Sequence, residues 1–201
     1  QRNAALKDQS QAKARYAWDQ ELVETGEKLH AGRTGLIEQL LPHYQSCCAE
    51  LLGPRHRVDL VLESGWDGEK GFGESLRQDR IRDSARGFTH SGPQRADLQI
   101  NLNAQESRAS ASHGQYKILV IALRLAQIRY LIESKGRHCC LLIDDLAAEL
   151  DPEHRARLTR ILASLPVQVF VTTTETSLIY RESWSSHKTF HVERGVVTEQ
   201  T

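Results

Sequence analysis

The chain has 201 residues, with 26 Lys and Arg balanced against 26 Asp and Glu. That length allows one domain or one and part of another, and 39% hydrophobic with 26% charged residues excludes wholesale disorder. Zero net charge removes the plainest case for a nucleic-acid binder, a strongly basic chain, and the longest apolar runs, Ile118–Leu123 and Cys139–Ile143, fall far short of the ~20 residues of a membrane span.

No methionine occurs, and the polar opening Gln1-Arg2-Asn3 carries no secretory pattern, so the chain is expected to be a processed product or a piece cut from a larger protein. The cysteines form two adjacent pairs, Cys47-Cys48 and Cys139-Cys140, with no CxxC spacing for zinc. They are expected to be buried free thiols in a reducing cytosol. Charge is distributed unevenly: residues 54–136 carry 13 basic and 10 acidic side chains, against 6 and 7 before them and 7 and 9 after.

In chain order, Tyr16 to Leu52 reads as helix. Trp18, Leu22, Leu29, Leu36, Leu40, Tyr44, Cys47 and Leu51 fall largely at three- or four-residue steps on one stripe. A break is expected near Gly32–Gly35 or at Pro42, which lacks the N–H for an i−4 bond, giving a helical hairpin or arm. Val58–Leu62 alternates as a strand and leads into a glycine-rich turn. Glu74–Arg86 is a polar helix, and Leu98–Leu102 a half-buried strand. Gly114–Glu133 is strongly helical, with Ile118, Ile121, Ala122, Leu125, Ile128, Leu131 and Ile132 inward. Cys139–Ile143 is a continuous apolar run, expected to be covered on both faces, and Val167–Val171 is a second buried strand. Between them, Glu153–Leu162 is a helix with Pro152 at its start. Arg194-Gly195 turns a terminal hairpin. Strand–helix–strand alternation in this half defines an α/β sheet.

Two places carry chemistry. Leu141-Leu142-Ile143-Asp144-Asp145 is an apolar strand ending in two carboxylates, at the sheet edge where α/β folds bind ligands. Such a pair suits Mg²⁺ and an attacking water, although a strand running into an acidic turn has the same pattern. Ser110–Gln115 opens the long helix, where free N–H groups and the helix dipole favour an anion; Ser112 acting only as a cap is the plainer alternative. Arg77, Arg80, Arg82, Arg86 and Arg95, set against Glu74, Asp79 and Asp83, form either a phosphate-tracking face or a solvated helix. Nothing fits the phosphate-cradling pattern G-x-x-x-x-G-K-[ST].

The order Ser112-His113-Gly114-Gln115, helix, strand to Asp144-Asp145, Glu149-Leu150-Asp151, helix, strand to Thr172-Thr173-Thr174 resembles the C-terminal half of an ABC-type ATPase head: signature, Walker B, D-loop and switch. In detail it is similar to the RecF family of bacterial recombination mediators. Ser112–Lys117, Ala122–Gln127, the aspartate pair, the threonine switch, Gln1–Lys7 and Ser91–Asp97 carry that likeness, which spans essentially the whole chain. His113, Tyr116, Gln94 and Ala148 depart from it, standing where arginine, glutamine, histidine and serine are expected.

The resemblance implies an α/β fold, the C-terminal half of an ABC-type head with its sheet flanked by helices, and a helical arm. Residues 1–86 would be mainly the arm (lid), with a β excursion near 58–66, and residues 87–201 the head lobe. It implies a cytoplasmic DNA-binding ATPase of DNA repair, recombination, replication and the SOS response. The intact protein would recognise gapped or junction DNA, help load recombinase with RecO and RecR, and form a homodimer around ATP and Mg²⁺. Asp144 would serve Mg²⁺, often through water. Asp145 would act on the attacking water, and Thr173 or Thr174 would sense the γ-phosphate. Ser112, Gly114 and Gln115 would contact the partner's nucleotide, and Asp151 would shape the D-loop contact. Weak, DNA-stimulated ATPase activity is expected of the intact dimer. The chain alone, lacking Walker A, is expected to be inactive and to bind no nucleotide stably. The alternatives are a Rad50- or SMC-like head fragment, against which the short arm argues, and a DNA- or protein-binding module without an ATP role.

Overall fold

The computed structural model describes residues 2–7, 12–137, 139–146 and 150–200, so Gln1, Ala148 and Glu149 of the motifs above lie outside the described residues. The chain forms two compact units, residues 1–46 with 56–112, and residues 47–55 with 113–201.

Helix α2, Ala12–Leu52, runs unbroken through Gly32, Gly35 and Pro42, contrary to the expected break. Pro42 and Glu38, whose carbonyl the proline leaves without a donor, are both exposed, so water can satisfy that carbonyl. Only part of the expected stripe is inward. Leu40, Tyr44, Cys47 and Leu51 are buried, whereas Leu29 and Leu36 are exposed. The seven-residue steps from Leu22 to Leu36 drift about 20° per heptad on a straight helix, which carries them off the buried line. Leu36 and Ile37 instead border an open groove with Leu62 and Leu98.

In the first unit, α1 (Arg2–Lys7) and α3 (Phe72–Arg86) accompany a small antiparallel sheet. Strand β1 (Val58–Glu63) pairs along its length with β2 (Asp97–Leu102), from Val58 opposite Leu102 to Glu63 opposite Asp97. Thus β1, inside the stretch assigned to the arm, is paired with a strand beyond residue 86. Asn103 and Ala104 then turn tightly, both with positive φ, into β3 (Gln105–Glu106) and the single turn of α4 (Ser107–Ser110). Trp66 stacks on Phe72 at 4.5 Å, and a Cβ on Gly26 of α2 would sit 2.6 Å from the Phe72 ring. Glycine is required there for that close approach.

The charge of this unit is anchored inside it. Arg2 is almost fully buried and donates from Nη1 to Asp83 Oδ2 at 2.9 Å and to Thr89 Oγ1 at 2.6 Å, and from Nε to Asp19 at 2.5 Å. His90 N–H donates to the other Asp83 oxygen at 2.9 Å, and Asn3 Oδ1 accepts from both the backbone N–H and the hydroxyl of Thr89. Asp83 is fully buried, and one ionic cluster ties α1, α2, α3 and the loop after α3 together. The Ser91–Asp97 segment is fixed beside it. Gly92, at φ 149°, donates its N–H to Gly65 O at 3.0 Å, and Arg33 donates to Pro93 O at 2.8 Å.

In the second unit, α5 (His113–Lys135) buries Ile118, Leu119, Ala122, Leu125, Ala126, Ile128 and Tyr130. Ile121, Leu131 and Ile132, expected inward, are half-buried at the margin of that face. Strands β4 (Cys140–Ile143) and β5 (Gln168–Val171) are parallel, in register from Cys140 opposite Gln168 to Ile143 opposite Val171, and are joined through α6 (Pro152–Ser164). The expectation that both strands are covered on both faces is not met. Among the described residues each has only the other as a neighbour, and Leu142 is 75% and Phe170 52% exposed. A two-stranded sheet has no second layer on that face. Strands β6 (Thr189–Glu193) and β7 (Val196–Gln200) form the expected hairpin, with positive φ at Arg194 and Gly195.

All cysteines are free, as expected, but only Cys47 and Cys48 are buried; Cys139 is half-exposed and Cys140 exposed on β4. Burial pushes the Cys47 thiol up to about 11.

Candidate functional site

The carboxyl ends of β4 and β5 lie side by side, and four hydrogen bonds continue their pairing past the strands. Thr172 N–H donates to Ile143 O at 2.9 Å, and Leu146 N–H donates to Thr172 O at 3.3 Å. The Thr172 hydroxyl accepts from Asp145 N–H at 2.8 Å and donates to Asp144 Oδ1 at 2.5 Å. Asp144 is exposed and Asp145 half-buried, and Thr172 bonds the carboxylate of the first and the backbone of the second. Asp145 has φ +46°, a left-handed conformation that aspartate tolerates better than most residues.

The threonines after β5 do different work. Thr173 is half-buried and closes its own turn, donating to Glu175 O at 3.0 Å and accepting from Glu175 N–H at 3.3 Å. Thr174 is exposed. Thr172, which sequence reasoning passed over in favour of its neighbours, meets the Asp144 carboxylate and the Asp145 backbone N–H. In-register parallel pairing of the two apolar runs was the signal that could have found it, since residue 172 follows Val171 as residue 144 follows Ile143.

Asp151 stands at the start of α6 and caps it, accepting from the backbone N–H groups of Glu153 at 3.0 Å and His154 at 3.1 Å. Its other oxygen meets the His154 ring at 2.5 Å. These bonds, the His154 amide first, hold the Asp151 carboxyl below its ordinary value of 3.8. At the start of α5, Ser112 and Gly114 are exposed and Gln115 half-buried.

On α3, Arg77 pairs with Glu74 at 2.6 Å and Arg82 with Asp79 at 2.5 Å. Arg80, Arg86 and Arg95 are exposed and form no ion pair among the described residues. Five arginines in sequence thus become a smaller set of free cations in space. Ile81 lies among them, 86% exposed.

The donor set at β4 fits Mg²⁺ in kind: carboxylates at a strand end, with Asp144 exposed and its Oδ2 carrying no hydrogen bond among the described residues. No cluster of three or more His, Cys, Asp or Glu able to hold a metal occurs among the described residues. A cation here would therefore depend on one or two carboxylates, water and ligand oxygens, which is the usual manner of Mg²⁺ at nucleotide sites.

No family model matches the chain. Among solved structures, one described as the recombination mediator protein RecF with ATP, in the RecFOR pathway, superposes with a TM-score of 0.79 at 20% identity, over 100% of this chain and 55% of the other. An SMC head bound to the C-terminal winged-helix domain of ScpA superposes at 0.51, with 16% identity, over 82% of this chain. The fold is therefore that of the C-terminal half of an ABC-type ATPase head.

Curated relatives resolve the class further. The protein named DNA replication and repair protein RecF from Thioalkalivibrio sulfidiphilus is 40% identical over 98% of this chain, and the one from Vibrio cholerae 38% over 99%. The chain is thus similar to RecF proteins along nearly its whole length, and it spans about half the length of the relatives it matches, 54% in both cases.

Proposed function

We propose that this chain is the C-terminal part of a DNA-binding ATPase of recombinational repair, acting in the cytoplasm on gapped or junction DNA with RecO and RecR as partners. In this reading residues 87–201 supply the head lobe and residues 1–86 most of the arm. The observation that carries it is the pair of exposed Asp144 and half-buried Asp145 at the end of a parallel strand in a RecF-like fold, both hydrogen-bonded to Thr172 just after β5.

Asp144, with a free oxygen, would hold Mg²⁺, which when bound neutralises phosphate charge. Asp145 would orient the attacking water and take its proton. Thr173 or Thr174, on the loop leaving β5, would face the γ-phosphate. Ser112, Gly114 and Gln115 would offer the start of α5 to the nucleotide of a second copy, and Asp151 would shape the contact between copies. The free cations Arg80, Arg86 and Arg95 are the first candidates for DNA phosphates, with Arg77 and Arg82 joining on release from their acidic neighbours. The open face bearing Leu142 and Phe170 would be covered within the longer protein. The better superposition on RecF than on the SMC head favours this reading over an SMC-like fragment.

The test is made in the full-length protein. Asp145→Asn is expected to bind ATP as the wild type does while turnover falls by roughly 10²-fold or more. Asp144→Asn is expected to lose Mg²⁺-dependent binding as well. Wild-type turnover in both variants would show that this strand end is not the hydrolytic site.

A further inference from the structure

We infer that Thr172 is a positioning residue for the carboxylate pair, the side chain through which β5 sets the orientation of Asp144 and the backbone of Asp145. The inference rests on the reading of β4 as the strand that carries the Mg²⁺ and water carboxylates.

A threonine hydroxyl has one hydrogen to donate and lone pairs to accept with. In Thr172 the hydrogen goes to Asp144 Oδ1 at 2.5 Å, and a lone pair takes Asp145 N–H at 2.8 Å. The first is a short hydroxyl–carboxylate contact of the charge-assisted kind. The second occupies an N–H whose residue has turned to φ +46°. One side chain thus fixes a carboxylate rotamer and a left-handed backbone at consecutive residues. The backbone of Thr172 is bonded on both sides, to Ile143 O and from Leu146 N–H, so the hydroxyl cannot drift independently of β4. Among the described residues Asp144 has Oδ1 committed and no partner for Oδ2. Thr173 cannot substitute, since its hydroxyl is spent on Glu175.

The experiment compares Thr172→Val, Thr172→Ser, Thr172→Ala and Asp144→Asn in the full-length protein. Fluorescent ATP-analogue binding is titrated with Mg²⁺, turnover is measured in parallel, and unfolding midpoints are recorded. Partners that orient a metal ligand typically contribute about 10–100-fold to affinity. Thr172→Val and Thr172→Ala should raise the Mg²⁺ concentration at half-saturation by about tenfold or more, and Thr172→Ser should restore it, because only serine keeps the hydroxyl. Failure of Thr172→Val to fold leaves Thr172→Ala, which adds no bulk, to decide the matter. Wild-type Mg²⁺ dependence in the valine or alanine protein, beside a defective Asp144→Asn, overturns the inference while the site reading stands. A serine protein as defective as valine also overturns it, since the methyl group would then be what matters. An Asp144→Asn protein indistinguishable from wild type overturns the underlying reading itself.

Discussion

Asp83 is fully buried and engages both carboxylate oxygens with groups from other segments, whereas Asp144 is exposed and engages one oxygen with a hydroxyl on the neighbouring strand. Both carboxylates are held, but by opposite means. Around Asp83 the low dielectric makes every missing partner costly, so Arg2, Asp19, Thr89 and the His90 amide close the cluster completely. Around exposed Asp144 solvent screens the charge, and among the described residues the holding bond is single and one oxygen is left over. A closed cluster keeps a unit in shape and has nothing spare to bind with. An open one adds little to stability and retains capacity for a ligand.

The sharpest way to break this comparison is to leave each cluster without a member. Asp83→Ala removes the fully buried partner of Arg2, leaving it Asp19 as acidic partner, and is expected to cost about 3 kcal/mol, read from the unfolding midpoint of the full-length protein. The double variant Arg2→Met with Asp83→Leu should recover most of that loss, since an apolar pair removes both charges together.

Asp151 lies between the extremes, exposed yet capping α6 with two backbone N–H groups. Asp151→Ala should cost about 0.5–2 kcal/mol. Its carboxyl is held below the ordinary 3.8, so it ionises more readily folded than unfolded. The contribution of the charged cap is therefore fully present above 3.8 and lost as pH falls below that value. A denaturation series from neutral pH to pH ~3 should show the Asp151→Ala deficit shrinking at the acidic end.

The smallest effect belongs to the open pair. Asp144→Asn and Asp145→Asn should each leave stability within about 0.5 kcal/mol, because asparagine still accepts from Thr172 and tolerates a left-handed backbone. A loss comparable to that of Asp83→Ala would mean that the pair is a structural cluster after all.

The sequence was most legible where one local signal acts alone. Apolar runs marked β4 and β5, Gly87 ends α3 in the left-handed conformation, and Arg194-Gly195 turns the last hairpin. The carboxylate pair was legible for the same reason, as an apolar strand running into acids. The unbroken helix was not. Pro42 signals a break locally, but its cost depends on whether the freed carbonyl meets water, which only the exposure of Glu38 and Pro42 reveals. The Arg2–Asp83 bond joins residues 81 positions apart, and in sequence Asp83 is one more acid among helical arginines. Thr172 escaped because three consecutive threonines are chemically alike, and they differ only through the register of two strands.

The cysteines follow the same division between closed and open, in the currency of reactivity rather than stability. A thiol attacks through its thiolate, and Cys47, buried and raised to about 11, has almost none at neutral pH. Cys140 stands exposed on the strand that leads into Asp144. Oxidants and electrophiles acting on the native chain therefore reach the β4 strand before the thiol held in the helix. The same thiol is an attachment point for a probe at the opposite end of β4 from Asp144.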